Sequence, residues 1–387
     1  MSANIESFVM AQGGEQPWWG TAGQIDAQAG LDQWMEQAGL NWRVCEMPVL
    51  IQGKAENRKA EGWKALVRST DAAVLGMVTT DYKVHQNRDL VEVFRNFTEA
   101  GELVMDTMGS LCGGKKVFAA AKVNGDIAIR TPKGTDVHKM FFLLSTGHTG
   151  GYATQADLTD VRVVCNNTLS MARDAAATKD TRWRMSHLGR WSSARASEVK
   201  ALVDRALGKK ATLVGEWEKL YSAPALPIVE ALLYTELFQP ELFQKVTEKV
   251  AGGTMQIGSF HVRTPNMDAV EKAPRLYTLD ALVNDADARR TVVTELLNPN
   301  KFNRTVNTLM GVSTSQKGAS LSVGTVANAV NAITSWTDHD RGRNADSAAD
   351  SALFGQGRND KAQAMTLGLQ YAQDMVQIAG RTLALAN

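Results

Sequence analysis

The stretch Val161-Arg162-Val163-Val164-Cys165-Asn166-Asn167-Thr168-Leu169 reads as a half-buried strand that runs into consecutive amides. Val161, Val163 and Val164 are β-branched and suit a pleated, packed surface. Arg162 interrupts the apolar run and Cys165 closes it. Asn166, Asn167 and Thr168 can each satisfy backbone groups at a turn, so the spacing predicts a strand-to-helix corner here. Alternation sets Val161, Val163 and Cys165 on one face and Arg162 with Val164 on the other. A sheet face carrying Arg162 beside the amides of Asn166 and Asn167 suits a single nucleic-acid strand. The plainer alternative is an ion pair from Arg162 to Asp157 or Asp160 that fixes the loop.

Upstream of this corner, residues 42–51, 64–68, 73–86, 103–111, 116–123 and 139–145 are short, rich in Val, Leu, Met, Tyr and Trp, and predict strands. Residues 22–38 and 90–99 carry apolar positions at helical spacing, the first ending at Gly39. Downstream, residues 194–217, 227–238, 239–251, 278–297, 323–339 and 361–383 predict helices, with 252–272 as a linker or short hairpin. The expected class is α+β: an antiparallel sheet with packed helices in the N-terminal half and a mainly helical C-terminal half. The expected divisions are an arm and helix over 1–41, a sheet domain over 42–190 and a helical region over 191–387.

The chain has 387 residues, 44% hydrophobic and 21% charged, the balance of a soluble globular protein. Its net charge is only +1, so attraction to phosphate has to come from local clustering. Cys45, Cys112 and Cys165 are widely spaced and odd in number, which argues against a disulfide framework or zinc finger and fits a reducing cytoplasm. The first twenty residues lack the pattern of a secretory signal. No apolar run approaches the ~20 residues of a membrane span, and no membrane partner is expected.

Local charge does cluster. Residues 173–210 hold ten basic against four acidic side chains, a local charge of +6. Arg173, Arg182, Arg184, Arg190 and Arg195 interleave with Trp183 and Trp191, the combination that neutralises phosphates while aromatic rings stack bases. The alternative is a solvated helix face with two core tryptophans. Lys115 and Lys116 follow Gly113-Gly114 and offer a second cationic turn, though without the spacing of a phosphate-binding P-loop. A hairpin with charged edge residues is the preferred explanation.

The six histidines, His85, His138, His148, His187, His261 and His339, show no metal-binding helix pattern, so no metal and no cofactor is expected. His148, in a loop of Thr and Gly, could meet Cys165 and the amides Asn166 and Asn167 in one pocket, the basis for an alternative, enzymatic reading. A loop histidine with a buried thiol is the simpler one.

Several separated motifs, in order, resemble one family. They are Ala38-Gly39-Leu40-Asn41-Trp42 with Val44, Leu75-Gly76-Met77-Val78, Tyr82-Lys83-Val84-His85-Gln86-Asn87, Gly109-Ser110-Leu111 with Gly113 and Val117, Ser145-Thr146-Gly147-His148-Thr149-Gly150, and the 161–169 stretch. A distal set follows: Asn331-Ala332-Ile333-Thr334, Trp336, Asp338-His339, Arg341, Leu353-Phe354-Gly355 and Lys361. Together they resemble the phage- and plasmid-associated domain-of-unknown-function 932 family. Members often read His-Asp-Gly where this chain reads His148-Thr149-Gly150, so a carboxylate is missing at Thr149. What the resemblance implies is a mobile-element setting in which nucleic-acid transactions lead. The expectation is therefore a nucleic-acid-binding protein, with single-stranded DNA binding or annealing in recombination or replication favoured, and a possible homo-oligomer. The alternatives are a nucleotide- or nucleic-acid-directed enzyme with a pocket around His148, Cys165 and Asn167, and a structural or host-interaction protein.

Overall fold

In the computed structural model, which describes residues 5–12, 23–53, 56–162, 167–170, 182–208, 210–252, 254–257, 260–263, 265–296, 298–341 and 356–385, the antiparallel sheet of the N-terminal half is present and is followed by a mainly helical half. The class is α+β. The chain divides into two units, one of Met1–Ile127, Val137–Lys210 and Asp338–Arg358, the other of Ala128–Asp136, Ala211–Thr337 and Asn359–Asn387. The expected seams at 41/42 and 190/191 both fall inside the first unit.

In the first unit the elements are β1 (Ile5–Ala11), β2 (Gly23–Ile25), α1 (Leu31–Gln37), β3 (Val44–Ile51), β4 (Arg58–Arg68), β5 (Val74–Thr79), α2 (Asn87–Val91), α3 (Arg95–Glu99), β6 (Leu103–Leu111) and β7 (Lys116–Val123). After β8 (Ile127–Thr131) come β9 (Gly134–Gly147), β10 (Thr154–Arg162), β11 (Asn167–Ser170), β12 (Arg182–Met185) and α4 (Ser193–Leu207). The hairpin turn at 128–136 is counted with the second unit. The main sheet runs β11-β10-β9-β7-β6-β1-β2, with β12 also on β10. Its neighbours are antiparallel except β1 and β2.

Period-two alternation explains which side of the sheet is covered. Met140, Phe142 and Leu144 of β9 are buried, as are Leu31 and Trp34 of α1 and Leu90 and Phe97 from the short helices. Phe94 meets Phe142 edge to face with centroids 6.2 Å apart, joining helix layer to sheet. Burying each such side chain contributes about 1.5–3 kcal/mol. The helix expected over 22–38 is shorter, because residues 23–25 pair with β1 and Gly39 ends α1 in the left-handed region at φ 65°.

Among the described residues, Asn167–Ser170 form a strand where the corner was expected to start a helix. β10 returns through β11 as an antiparallel pair, with Thr159 opposite Ser170 and Arg162 opposite Asn167. Thr168 and Leu169 carry strand propensity of their own. Once β10 offers an open edge, the ladder satisfies the backbone groups that the amide side chains would have capped. Cys165 and Asn166 lie outside the described residues, and so do Val163 and Val164.

β3, β4 and β5 form a separate three-stranded sheet. It rests on the β9–β10 turn at two glycines. An added Cβ on Gly76 would stand 2.6 Å from the His148 carbonyl oxygen, and one on Gly150 would stand 3.2 Å from Val78.

The second unit is built from α5 (Lys210–Ser222), α6 (Pro227–Phe238), α7 (Pro240–Val250), the hairpin β13 (Thr254–Ile257) and β14 (Phe260–Arg263), α8 (Pro265–Lys272), α9 (Pro274–Asn284), α10 (Ala286–Leu296), α11 (Arg304–Ser315), α12 (Ala319–Ser322), α13 (Val326–Ser335) and α14 (Gln356–Leu385). The helix expected over 278–297 is broken at Asp285, whose carboxylate accepts from the amides of Asp287 and Ala288 and so starts α10. Trp217, Tyr221, Tyr234, Leu279, Val330 and Tyr371 make up much of its core. Among the described residues no helix is long and apolar enough to cross a membrane.

Candidate functional site

Polar side chains collect where β9 ends and β10 begins. The loop after β5 supplies Tyr82, His85, Gln86 and Asn87, the strand ends supply Ser145, Thr146, His148, Tyr152 and Thr154, and the segment after β12 supplies His187. All but Gln86 and Tyr152 are more than nine-tenths enclosed. Such a group stays in a core only if its hydrogen bonds are met.

The amide of Gln86 bonds the Val44 main chain twice, accepting from its N–H at 2.9 Å and donating to its carbonyl at 3.0 Å. Asn87 Nδ2 donates to the carbonyls of Leu40 and Trp42 at 3.3 and 3.4 Å. The opposite amide atom, Oδ1, is therefore an acceptor and holds His148 Nε2 at 3.2 Å. That contact fixes His148 as the Nε2–H tautomer, its ring edge-on to Trp42 with centroids 5.7 Å apart. Burial, with His187 and His85 nearby, pulls the His148 pKa down to about 3, so the ring is neutral at pH 7.

His85, Thr154, Thr146 and His187 form a chain. His85 Nε2 meets the Gly189 carbonyl at 2.9 Å, so Nε2 carries the proton and Nδ1 accepts from Thr154 Oγ1 at 2.6 Å. Thr146 and Thr154 hydroxyls are 2.7 Å apart. His187 Nδ1 donates to the Lys83 carbonyl at 2.9 Å, which leaves Nε2 bare and facing Thr146 Oγ1 at 3.5 Å. Two hydroxyl protons thus serve three contacts, and the longest is the one left without. The rings of Tyr82 and His187 stack at 4.4 Å and those of His85 and His187 at 4.3 Å. Burial and the His85 ring bring the His187 pKa down to about 4, opposed by the Lys83 and Tyr152 carbonyls. Burial also lowers the pKa of His85 and raises that of Tyr82.

A second polar line begins at Tyr152, whose hydroxyl lies 2.9 Å from Ser145 Oγ and whose ring sits 5.1 Å from Lys116 Nζ. It continues along β10, where Arg358 reaches Gln155 at 3.4 Å and pairs with Asp157. Asp157 and Arg358 are both buried. Asp157 is thus paired with Arg358, a residue that no local sequence signal marks. Among the described residues no three His, Cys, Asp or Glu side chains are grouped to hold a metal ion.

The cationic residues expected to bind nucleic acid are distributed around this unit. Arg184 lies on β12 and Arg190 in the turn before α4; both are exposed, and no ion pair joins either to another described residue. Trp183 and Trp191 are half-buried and meet edge to face at 5.9 Å, with Trp191 against His85 at 5.7 Å. Trp183 Nε1 donates to Glu198 at 2.9 Å, and Arg195 pairs with the same carboxylate at 2.7 Å, which neutralises that arginine. Lys115 is exposed at the β6–β7 turn and Lys116 half-buried beside it. Arg162 is opposite Asn167 at the end of β10, and Arg182 opposite Asp157; the side chains of Arg162, Asn167 and Arg182 lie outside what is described, as does the whole of Arg173. Of the alternative pocket, only His148 has a described side chain, and it is enclosed and bound to Asn87.

An open cleft of about 420 Å³ borders this site, lined by Leu40, Asn41, Trp42, Arg43, Gln86 and Arg88 among others. Arg88 is held by Asp32 at 2.6 Å.

Residues 74–227 match the family model described as Domain of unknown function (DUF932). The two histidine–hydroxyl groups lie within that span, whereas Leu40, Trp42 and Arg358 lie outside it. No curated protein and no solved structure matches the chain.

Proposed function

For a chain whose residues 74–227 belong to the DUF932 family, we propose nucleic-acid binding, with single-stranded DNA the favoured ligand and strand binding or annealing in a phage or plasmid setting the role. The observation that carries it is the pair of exposed cations Arg184 and Arg190, next in sequence to Trp183 and Trp191, whose rings meet edge to face, with no ion pair from either arginine among the described residues. Held on β12 and the turn after it, they present fixed positive charge to a phosphate backbone, with Lys115 as a further cation on the same unit. The histidine–hydroxyl chain braces this element through Gly189 and Lys83. It is scaffold in this reading, and touches no ligand.

Fluorescence anisotropy with single- and double-stranded oligonucleotides across a salt series tests the proposal. Affinity should fall steeply with salt. Arg184→Ala with Arg190→Ala should weaken binding to all sequences alike and flatten the salt slope by about 1.4, roughly 0.7 for each lost single-strand contact. Failure of the parent chain to bind any oligonucleotide at low salt would sink it.

A further inference from the structure

The three-stranded sheet of the first unit buries one face and leaves the other bare. Leu66 and Val78 point inward and are 0% and 3% exposed. The register sets the opposite face in rows: Cys45, Val67 and Val74; Met47, Ala65 and Met77; then Trp63 beside Thr79. On that face Met47 is 52% exposed, Trp63 47%, Val74 61% and Met77 53%; Leu50 and Ile51, beyond the register shift at the far end of β3 and opposite Lys59 and Arg58, are exposed too. Six of the ten exposed bulky apolar side chains of the described residues therefore belong to one small sheet.

Half-exposed side chains of this size show on the order of 100 Å² each, so the four on this face present about 400 Å², in the range of a monomer's largest apolar patch, before the part-buried Val67 and Ala65 between them are added. One side of a standard protein interface buries about 800 Å². Charge then selects the occupant. None of the eight outward positions is Lys, Arg, Asp or Glu, so the face offers nothing to neutralise phosphate. The same absence lets two copies stack without desolvating a charge. Edge-to-edge growth is blocked at β3, where Pro48 lacks an N–H and the register shifts between Pro48 and Leu50. Face-to-face packing of two sheets about 10 Å apart has no such obstacle.

We propose that the outward face of β3, β4 and β5 is a homodimer interface, covered by the same face of a second copy of this chain. The proposal is independent of the nucleic-acid reading.

Sedimentation equilibrium of the full chain over a range of concentrations, together with alkylation of Cys45 followed on its own peptide, tests it. The dimer mass is expected, with Met77→Lys weakening association at least tenfold while leaving the circular dichroism spectrum unchanged. In the unmutated chain Cys45, exposed in the monomer, should react slowly when concentrated and faster on dilution. A monomer at every concentration, with Cys45 equally reactive throughout, overturns the proposal. So does a dimer indifferent to both Met77→Lys and Met47→Lys, or a Cys45 protected only when oligonucleotide is added.

Discussion

A methyl group on Gly76 would stand 2.6 Å from the backbone oxygen of His148 and 2.9 Å from Cα of Thr149, and main-chain atoms have no rotamer by which to move aside. On Gly147 it would stand 2.6 Å from Cβ of Tyr152. Gly76→Ala is therefore expected to cost about 1–3 kcal/mol, the price of overpacking, whereas Gly151→Ala, with nothing within 4 Å, should change little. Denaturant midpoints measure both, and equal midpoints would mean that the β5–turn contact yields freely. Both Gly76 and Gly147 stand in the motifs that carry the family resemblance. Their reason was hidden, since it depends on which distant backbone arrives beside them. Gln86 and Asn87 stand in such a motif too, and the main-chain groups they satisfy, those of Leu40, Trp42 and Val44, are equally hidden in the sequence.

At the scale of elements, the histidine–threonine chain ties the loop after β5 and the segment after β12 to the β9–β10 turn. His187 and His148 have folded-state pKa values of about 4 and about 3, below the ~6.5 of an unfolded histidine. The unfolded chain therefore binds more protons between those limits. Stability is fully present above pH ~6.5 and is lost as pH falls toward 4 and then 3, by up to about 1.4 kcal/mol per pH unit for each ring. Urea unfolding at pH 7.5, 5.5 and 4.5 should show that decline, and a flat profile would contradict neutral, buried rings. Helices were legible where side-chain period was strong, as in α7. The 161–169 corner was misread because valines followed by amides suit a helix start and a hairpin equally, and only the open edge of β10 decides between them. The basic run after Arg173 was read as a cluster, yet Glu198 neutralises Arg195, and Arg184, Arg190 and Arg205 are the exposed arginines of the run with no ion pair among the described residues.

Across the whole chain, Arg358 joins a unit otherwise drawn mostly from the first 210 residues. Arg358→Met would remove the Arg358 partner of the buried Asp157, and breaking a buried pair costs about 3–5 kcal/mol. Adding Asp157→Asn should restore most of that, and thermal unfolding of the two variants distinguishes a real pair from an incidental contact. No periodicity or spacing announces such a bond, since its partners are 201 positions apart. The same separation is also a delay. At about 5–20 residues per second, Asp157 leaves the ribosome roughly 10–40 s before Arg358 does. A nascent chain halted short of residue 358 lacks that partner for Asp157, and β10 gains its pair with Arg358 only when translation is almost over.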